Sequence, residues 1–141
     1  MRMLKPSRKF GLADQSGTVA VKEFLFLKTM RIRSKSDFDY IYNLRQRVSD
    51  KNLLMFAARN YLNQTRIGLS VSRKHGGAVK RAKLKRLLRE AFRLTQHELP
   101  QGIDFILIPR QNPAAGLDGY QRSMIQLAGT LAHQLSKKDE R

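Results

Sequence analysis

Hydrophobic and polar positions divide the chain into segments of distinct period. Alternation is cleanest at 65–72, TRIGLSVS, where Ile67, Leu69 and Val71 point one way and Arg66, Gly68, Ser70 and Ser72 the other. That pattern predicts a half-buried strand. Two unbroken apolar runs of strand length, NLLMFAAR at 52–59 and IDFILIP at 103–109, suit buried strands, the second closed by Pro109. Helical spacing appears first at 36–46, SDFDYIYNLRQ, where Phe38, Ile41, Tyr42 and Arg45 share a face. Tyr40 and Leu44 lie on another face, so this helix is apolar on more than one side. Ser36 is its expected N-cap, with Asp37 and Asp39 at the positive end. A second helix is expected from about Val79 to His97, between the Gly76–Gly77 pair and Pro100. The last helix carries Leu117, Tyr120, Met124, Leu127, Ala128, Leu131 and Leu135 on one stripe, and the polar end SKKDER is expected to fray. The order is helix, two or three strands, helix, strand, helix, which is one α/β sandwich of a small sheet and helices.

Length and charge narrow the class. The 141 residues are enough for one domain with a modest core, and 28 basic against 11 acidic residues give a formal net charge of +17. Such an excess points to a polyanionic partner, nucleic acid above all. No run approaches the roughly 18 apolar residues of a membrane span, so no membrane partner is expected. Cysteine is absent, which excludes disulfides and thiolate chemistry, and a cytoplasmic location is the default. Residues 1–23 show no sustained period and lack the apolar segment of a signal peptide, so a flexible basic arm is expected there. The expected organisation is arm 1–23, domain 24–137 and disordered tail 138–141.

The charge is concentrated. Nine Lys or Arg residues (Arg73, Lys74, Lys80, Arg81, Lys83, Lys85, Arg86, Arg89 and Arg93) fall in the span 73–93 against one acid, Glu90. On a helical wheel of about 100° per residue, Leu84, Leu87, Leu88, Ala91, Phe92 and Leu94 gather on one arc. Lys83, Lys85, Arg86, Arg89 and Arg93 occupy the opposite one. Like charges at helical neighbours repel, and Glu90, within reach of Arg86 and Arg93, relieves only part of it. A solvated cationic face is the plain alternative to a phosphate-binding one. Against it, Arg73, Lys74, Lys80 and Arg81 prolong the charge into the loop and first turn, where free N–H groups also favour phosphate.

Protein-based catalysis finds no support in the pattern. His75, His97 and His133 lack ligand spacing and suit surface or capping roles, so no metal site is expected. Asp37 and Asp39 diverge by about 200° on their helix. Asp104 alternates out of its apolar strand, toward an expected exposed face. GGAVKR lacks the patterns of a nucleotide-binding loop. No catalytic residue is assigned.

The segment GLSVSRKHGGAVKRAKLKRLLREAFR resembles the signature of the protein component of bacterial ribonuclease P. There a strand ending Ser-Val-Ser passes through basic residues and Gly into Ala-Val, an Arg-Asn-Arg first turn, a Lys-Arg pair and Arg-Glu-Ala-Phe. The corresponding residues are Arg73, Lys74, Gly76, Ala78, Val79, Arg81, Lys83, Lys85, Arg86, Arg89, Glu90, Ala91 and Phe92. The similarity spans about 24–137, including FLKTMRIRSKSDFDYIY and FILIPR. It departs at Ala82 and Lys83, where the family has Asn and Arg, and at His75 and Gly77 in the loop.

The resemblance implies an αβββαβα sandwich with a left-handed crossover, of the kind seen in the second domain of ribosomal protein S5. It implies the accessory subunit of a tRNA 5′-maturation endoribonuclease, whose catalytic RNA binds the Mg²⁺ ions and performs the hydrolysis. The nine basic residues are then candidates for binding that RNA. Phe38, Tyr42 and Phe56 match positions of a cleft for the single-stranded 5′ leader of precursor tRNA. Core packing is the alternative for these rings, and a non-catalytic ribosomal or RNA-chaperone protein is the alternative for the chain.

Overall fold

The computed structural model describes residues 24–112 and 114–139, so the expected arm at 1–23 lies outside the described residues. The elements are α1 (Lys35–Leu44), β1 (Arg47–Ser49), β2 (Leu53–Arg59), β3 (Arg66–Leu69), α2 (Ala78–Thr95), β4 (Ile103–Pro109) and α3 (Leu117–Asp139). This is the expected αβββαβα order. The strands form one mixed sheet in the order β1-β2-β4-β3. β4 is antiparallel to β2, from Leu53↔Pro109 to Arg59↔Ile103, and parallel to β3, from Arg66↔Asp104 to Leu69↔Leu107. Parallel neighbours need a crossover, and α2 supplies it.

The two continuous apolar strands are explained by what covers them. Leu53, Met55 and Ala57 of β2, with Ile103, Phe105 and Leu107 of β4, pack under α2 and α3. The alternate residues, Leu54, Phe56, Ala58, Ile106 and Ile108, pack with Ile32 and Ile41 under α1. Strands buried on both faces lose their polar alternation.

Several expectations need correction. Ser34, not Ser36, caps α1: its Oγ accepts from the Asp37 N–H at 3.0 Å. Gly68 does not face solvent, because α1 covers that face and a Cβ there would lie 2.6 Å from Phe38 Cζ. Asp104 is not exposed either. At 5% exposure it accepts two hydrogen bonds from Arg66 and one, at 2.8 Å, from Asn60 Nδ2. Alternation placed Asp104 outside the α2–α3 core correctly, but that outside is the face α1 roofs. β1 had no periodic signal because only Val48 is half-buried; its pairing with β2 (Arg47↔Phe56 to Ser49↔Leu54) makes it a strand. Helix α3 continues through Asp139, past the expected fraying point, and the Asp139 carboxylate pairs with Arg59. The chain before α1 runs beside β3, with the Ile32 N–H donating to the Ile67 carbonyl at 2.8 Å.

Candidate RNA interface

The basic loop that leads into α2 is pinned at both ends. The His75 ring accepts from the Ser72 N–H on Nδ1 at 3.0 Å and donates from Nε2 to the Pro109 carbonyl at 2.6 Å. An amide only donates and a carbonyl only accepts, so these bonds set the proton on Nε2. Gln111 Nε2 donates to the Lys74 carbonyl at 2.8 Å, fastening the loop to the segment after β4. Gly76 then turns with φ +121, where an L side chain would be strained and a Cβ would strike Lys80 Cδ. Gly77 is the N-cap of α2 and supplies no side-chain oxygen to its first-turn N–H groups. These donors add positive potential beside Lys80.

Along α2 the wheel separates the cations as expected, with two refinements. Arg73, Lys74, Lys80, Lys83 and Arg86 are exposed, and Lys85 and Arg89 are half-buried on one flank. Arg81 lies about 60° from Leu84, on the core-side arc. It is half-buried, and its Nε has no hydrogen-bond partner. Arg93 is engaged within the chain: it grips Glu90 through Nε at 2.8 Å and Nη2 at 2.6 Å, and donates to the Phe24 carbonyl at 3.1 Å. Glu90 therefore serves Arg93 alone among the described residues. Of the nine cations, the eight other than Arg93 have no carboxylate partner among the described residues. The crowding shows in Arg89, whose pKa is lowered by burial first and then by the charges of Arg31 and Arg86.

Two recesses flank the helix. One, about 320 Å³, lies between α2 and the chain before α1; Arg31, Arg33, Lys85 and Arg89 line it with Phe26 and Phe38. The other, about 510 Å³, lies on the opposite flank. Sequence reasoning passed over Arg31 and Arg33, although RIR stands there as an alternating basic pair beside β3. No feature of the pattern could have joined Arg110 or Tyr120 to α2, because that depends on how the chain returns after β4.

The three aromatic residues expected to form a cleft do meet. Tyr42 packs edge-on against Phe56 with centroids 4.9 Å apart, and Phe38 lies 6.3 Å from Tyr42. Their exposures differ. Phe56 is buried at 8%, whereas Phe38 and Tyr42 are half-buried at the rim of the second core. Phe56 thus supports the floor, and the other two present ring surface. Arg47 stands over Phe56 at 5.9 Å, bringing a cation to the same rim. No three His, Asp or Glu side chains converge to hold a metal among the described residues.

The family model described as Ribonuclease P matches residues 26–132. The chain belongs to the ribonuclease P protein family. The ribonuclease P protein component of Petrotoga mobilis is 34% identical over 101 residues, covering 72% of this chain and 86% of the relative. That of Alkaliphilus oremlandii is 38% identical over 80 residues, covering 57% and 70%. Among solved structures, the ribonuclease P protein of Thermotoga maritima superposes with a TM-score of 0.65 at 28% identity, covering 71% of this chain and 96% of that one. The Staphylococcus aureus protein gives 0.63 at 32%, covering 73% and 95%. The ribosomal or chaperone alternative finds no support in these relatives, and the mixed sandwich is a ribonuclease P protein fold.

Proposed function

We propose that this ribonuclease P protein subunit grips the catalytic RNA with the loop and outer face of α2 and receives the precursor-tRNA leader against Phe38 and Tyr42. The observation that carries the reading is the row of eight cations without a carboxylate partner. Left alone they repel, and a phosphate backbone converts that repulsion into binding. Cations on α2 also replace part of the screening that an RNA otherwise draws from Mg²⁺. In this reading the RNA holds the catalytic Mg²⁺ and carries out the hydrolysis, while the protein positions the substrate and neutralises charge, in the cytoplasm. Among the described residues no helix is long and apolar enough to cross a membrane.

The leader surface follows from chemistry as well as place. An unpaired strand offers base faces to aromatic rings without regard to sequence. Phe38 and Tyr42 supply such rings. Arg31 and Arg33 stand near Phe38 around the smaller recess and can meet the leader phosphates.

Reconstitution tests the whole reading. Protein, cognate RNA subunit and labelled precursor tRNA should cleave at a lower Mg²⁺ concentration than RNA alone, and protein alone should not cleave. Cleavage by RNA-free protein, or no effect of protein at any Mg²⁺ concentration, contradicts it.

A further inference from the structure

The larger recess, about 510 Å³, is walled by the basic loop, the first turns of α2, the segment after β4 and the start of α3. Its lining has two chemistries. Leu84, Leu87 and Ala115 are apolar, and Tyr120 joins them from α3. Around them stand Lys74, Lys80, Lys83 and Arg110, none of which pairs with a carboxylate among the described residues.

Tyr120 is the decisive residue. It is 1% exposed, and its hydroxyl bonds to no group among the described residues while keeping a little accessible surface, since Arg81 Nε is the one fully buried side-chain nitrogen or oxygen left without a partner among them. Burial alone raises its pKa, with no compensating hydrogen bond. A buried phenol ordinarily finds a partner. Tyr120 lines the recess, which is where a ligand can meet it. The walls are also held in place, by the His75 and Gln111 hydrogen bonds and by the packing of Lys80 against Gly76. A pocket with fixed walls loses little entropy on binding.

We infer that this recess receives one unpaired nucleotide of the RNA subunit, its base against Leu84, Leu87 and Ala115, its edge hydrogen-bonded to Tyr120, and its phosphate among Lys80, Lys83 and Arg110. An inorganic anion would leave the apolar wall and the Tyr120 hydroxyl unused, and an apolar molecule would leave four cations unanswered. A nucleotide uses both. Structured RNAs splay single bases from loops and bulges, which makes them available to such a pocket. The assignment rests on α2 being the RNA-facing helix.

The test titrates the full chain, with isotope-labelled methyl groups, with the four 5′-mononucleotides and separately with inorganic phosphate. At least one mononucleotide should shift the Leu84, Leu87 and Ala115 methyl resonances saturably, while phosphate at equal concentration leaves them in place. Tyr120→Phe removes only the hydroxyl and should weaken that mononucleotide by about three- to tenfold, with the melting temperature measured alongside. Ala115→Phe fills the recess from a half-buried site and should abolish the shifts. Both variants should weaken RNA-subunit binding without altering its salt dependence, because neither removes a charge. That separates this site from the α2 reading, which stands or falls on the salt dependence of Arg86 and Arg89 variants. Methyl resonances indifferent to every mononucleotide, or moved equally by phosphate, would overturn the nucleotide pocket, as would wild-type RNA binding by Ala115→Phe.

Discussion

Gly68 lies against the Phe38 ring with no room for a side chain between β3 and α1. A methyl group at Gly68 would sit 2.6 Å from Phe38 Cζ, so the ring or the helix must move. Gly68→Ala should lower stability by about 1–3 kcal/mol, as overpacking does. Adding Phe38→Leu should restore part of that loss in a double-mutant cycle followed by urea denaturation. Strict additivity would show that the contact is not what limits position 68. Phe38 has a second role to test. It is half-buried, so Phe38→Ala should destabilise by less than the about 3–5 kcal/mol of a fully buried ring. It should weaken precursor-tRNA binding to the holoenzyme by about 1–3 kcal/mol per lost base stack while mature tRNA binds as before. Equal weakening of both tRNAs, with a large drop in melting temperature, would leave Phe38 as a packing residue.

At the scale of elements, the legible parts were those whose pattern is set by one neighbour. β4 lies where its apolar run and Pro109 predicted it, and α2 begins and ends within two residues of expectation. Arg93 was harder. Its wheel position is cationic and outward, but its donors go to Glu90 and the Phe24 carbonyl, a tertiary bond to a segment without period. Gly68 and Asp104 misled for a related reason, since alternation tells two faces apart without saying that both are covered. The Asp104–Arg66 pair now has a predictable weight. Asp104→Ala takes both close contacts from a half-buried guanidinium, leaving it only Asp37 at 3.9 Å, and should cost up to about 3 kcal/mol, read by urea denaturation. A change under half that size would make the pair incidental to the fold. The loop before α2 acts through pre-organisation. His75→Ala removes the bond to Pro109 and should weaken RNA-subunit binding by about three- to tenfold with the salt dependence unchanged, since both ring nitrogens are taken up by the Ser72 and Pro109 backbone. A shallower salt dependence would instead mean that His75 meets phosphate itself.

Across the whole molecule, charge and apolar surface are sorted to different sides of the same helix. The inner arc of α2 closes the core through Leu88, Ala91 and Phe92, so the helix cannot turn its cations inward. That arrangement makes a binding surface whose strength is electrostatic and hence dependent on salt. If about five phosphates are neutralised, the association constant of protein for the RNA subunit should fall with a log–log salt slope of roughly −3.5 to −4.5. Arg86→Ala and Arg89→Ala should each make that slope shallower by about one unit. Arg93→Ala should leave it nearly unchanged, because its charge is already answered by Glu90. The salt slope of these three variants, measured with the RNA subunit alone, is the most direct test of α2 as the RNA-binding surface. Shallower slopes for Arg86 and Arg89 but not Arg93 are expected, and slopes indistinguishable from wild type in all three would place the RNA on another face.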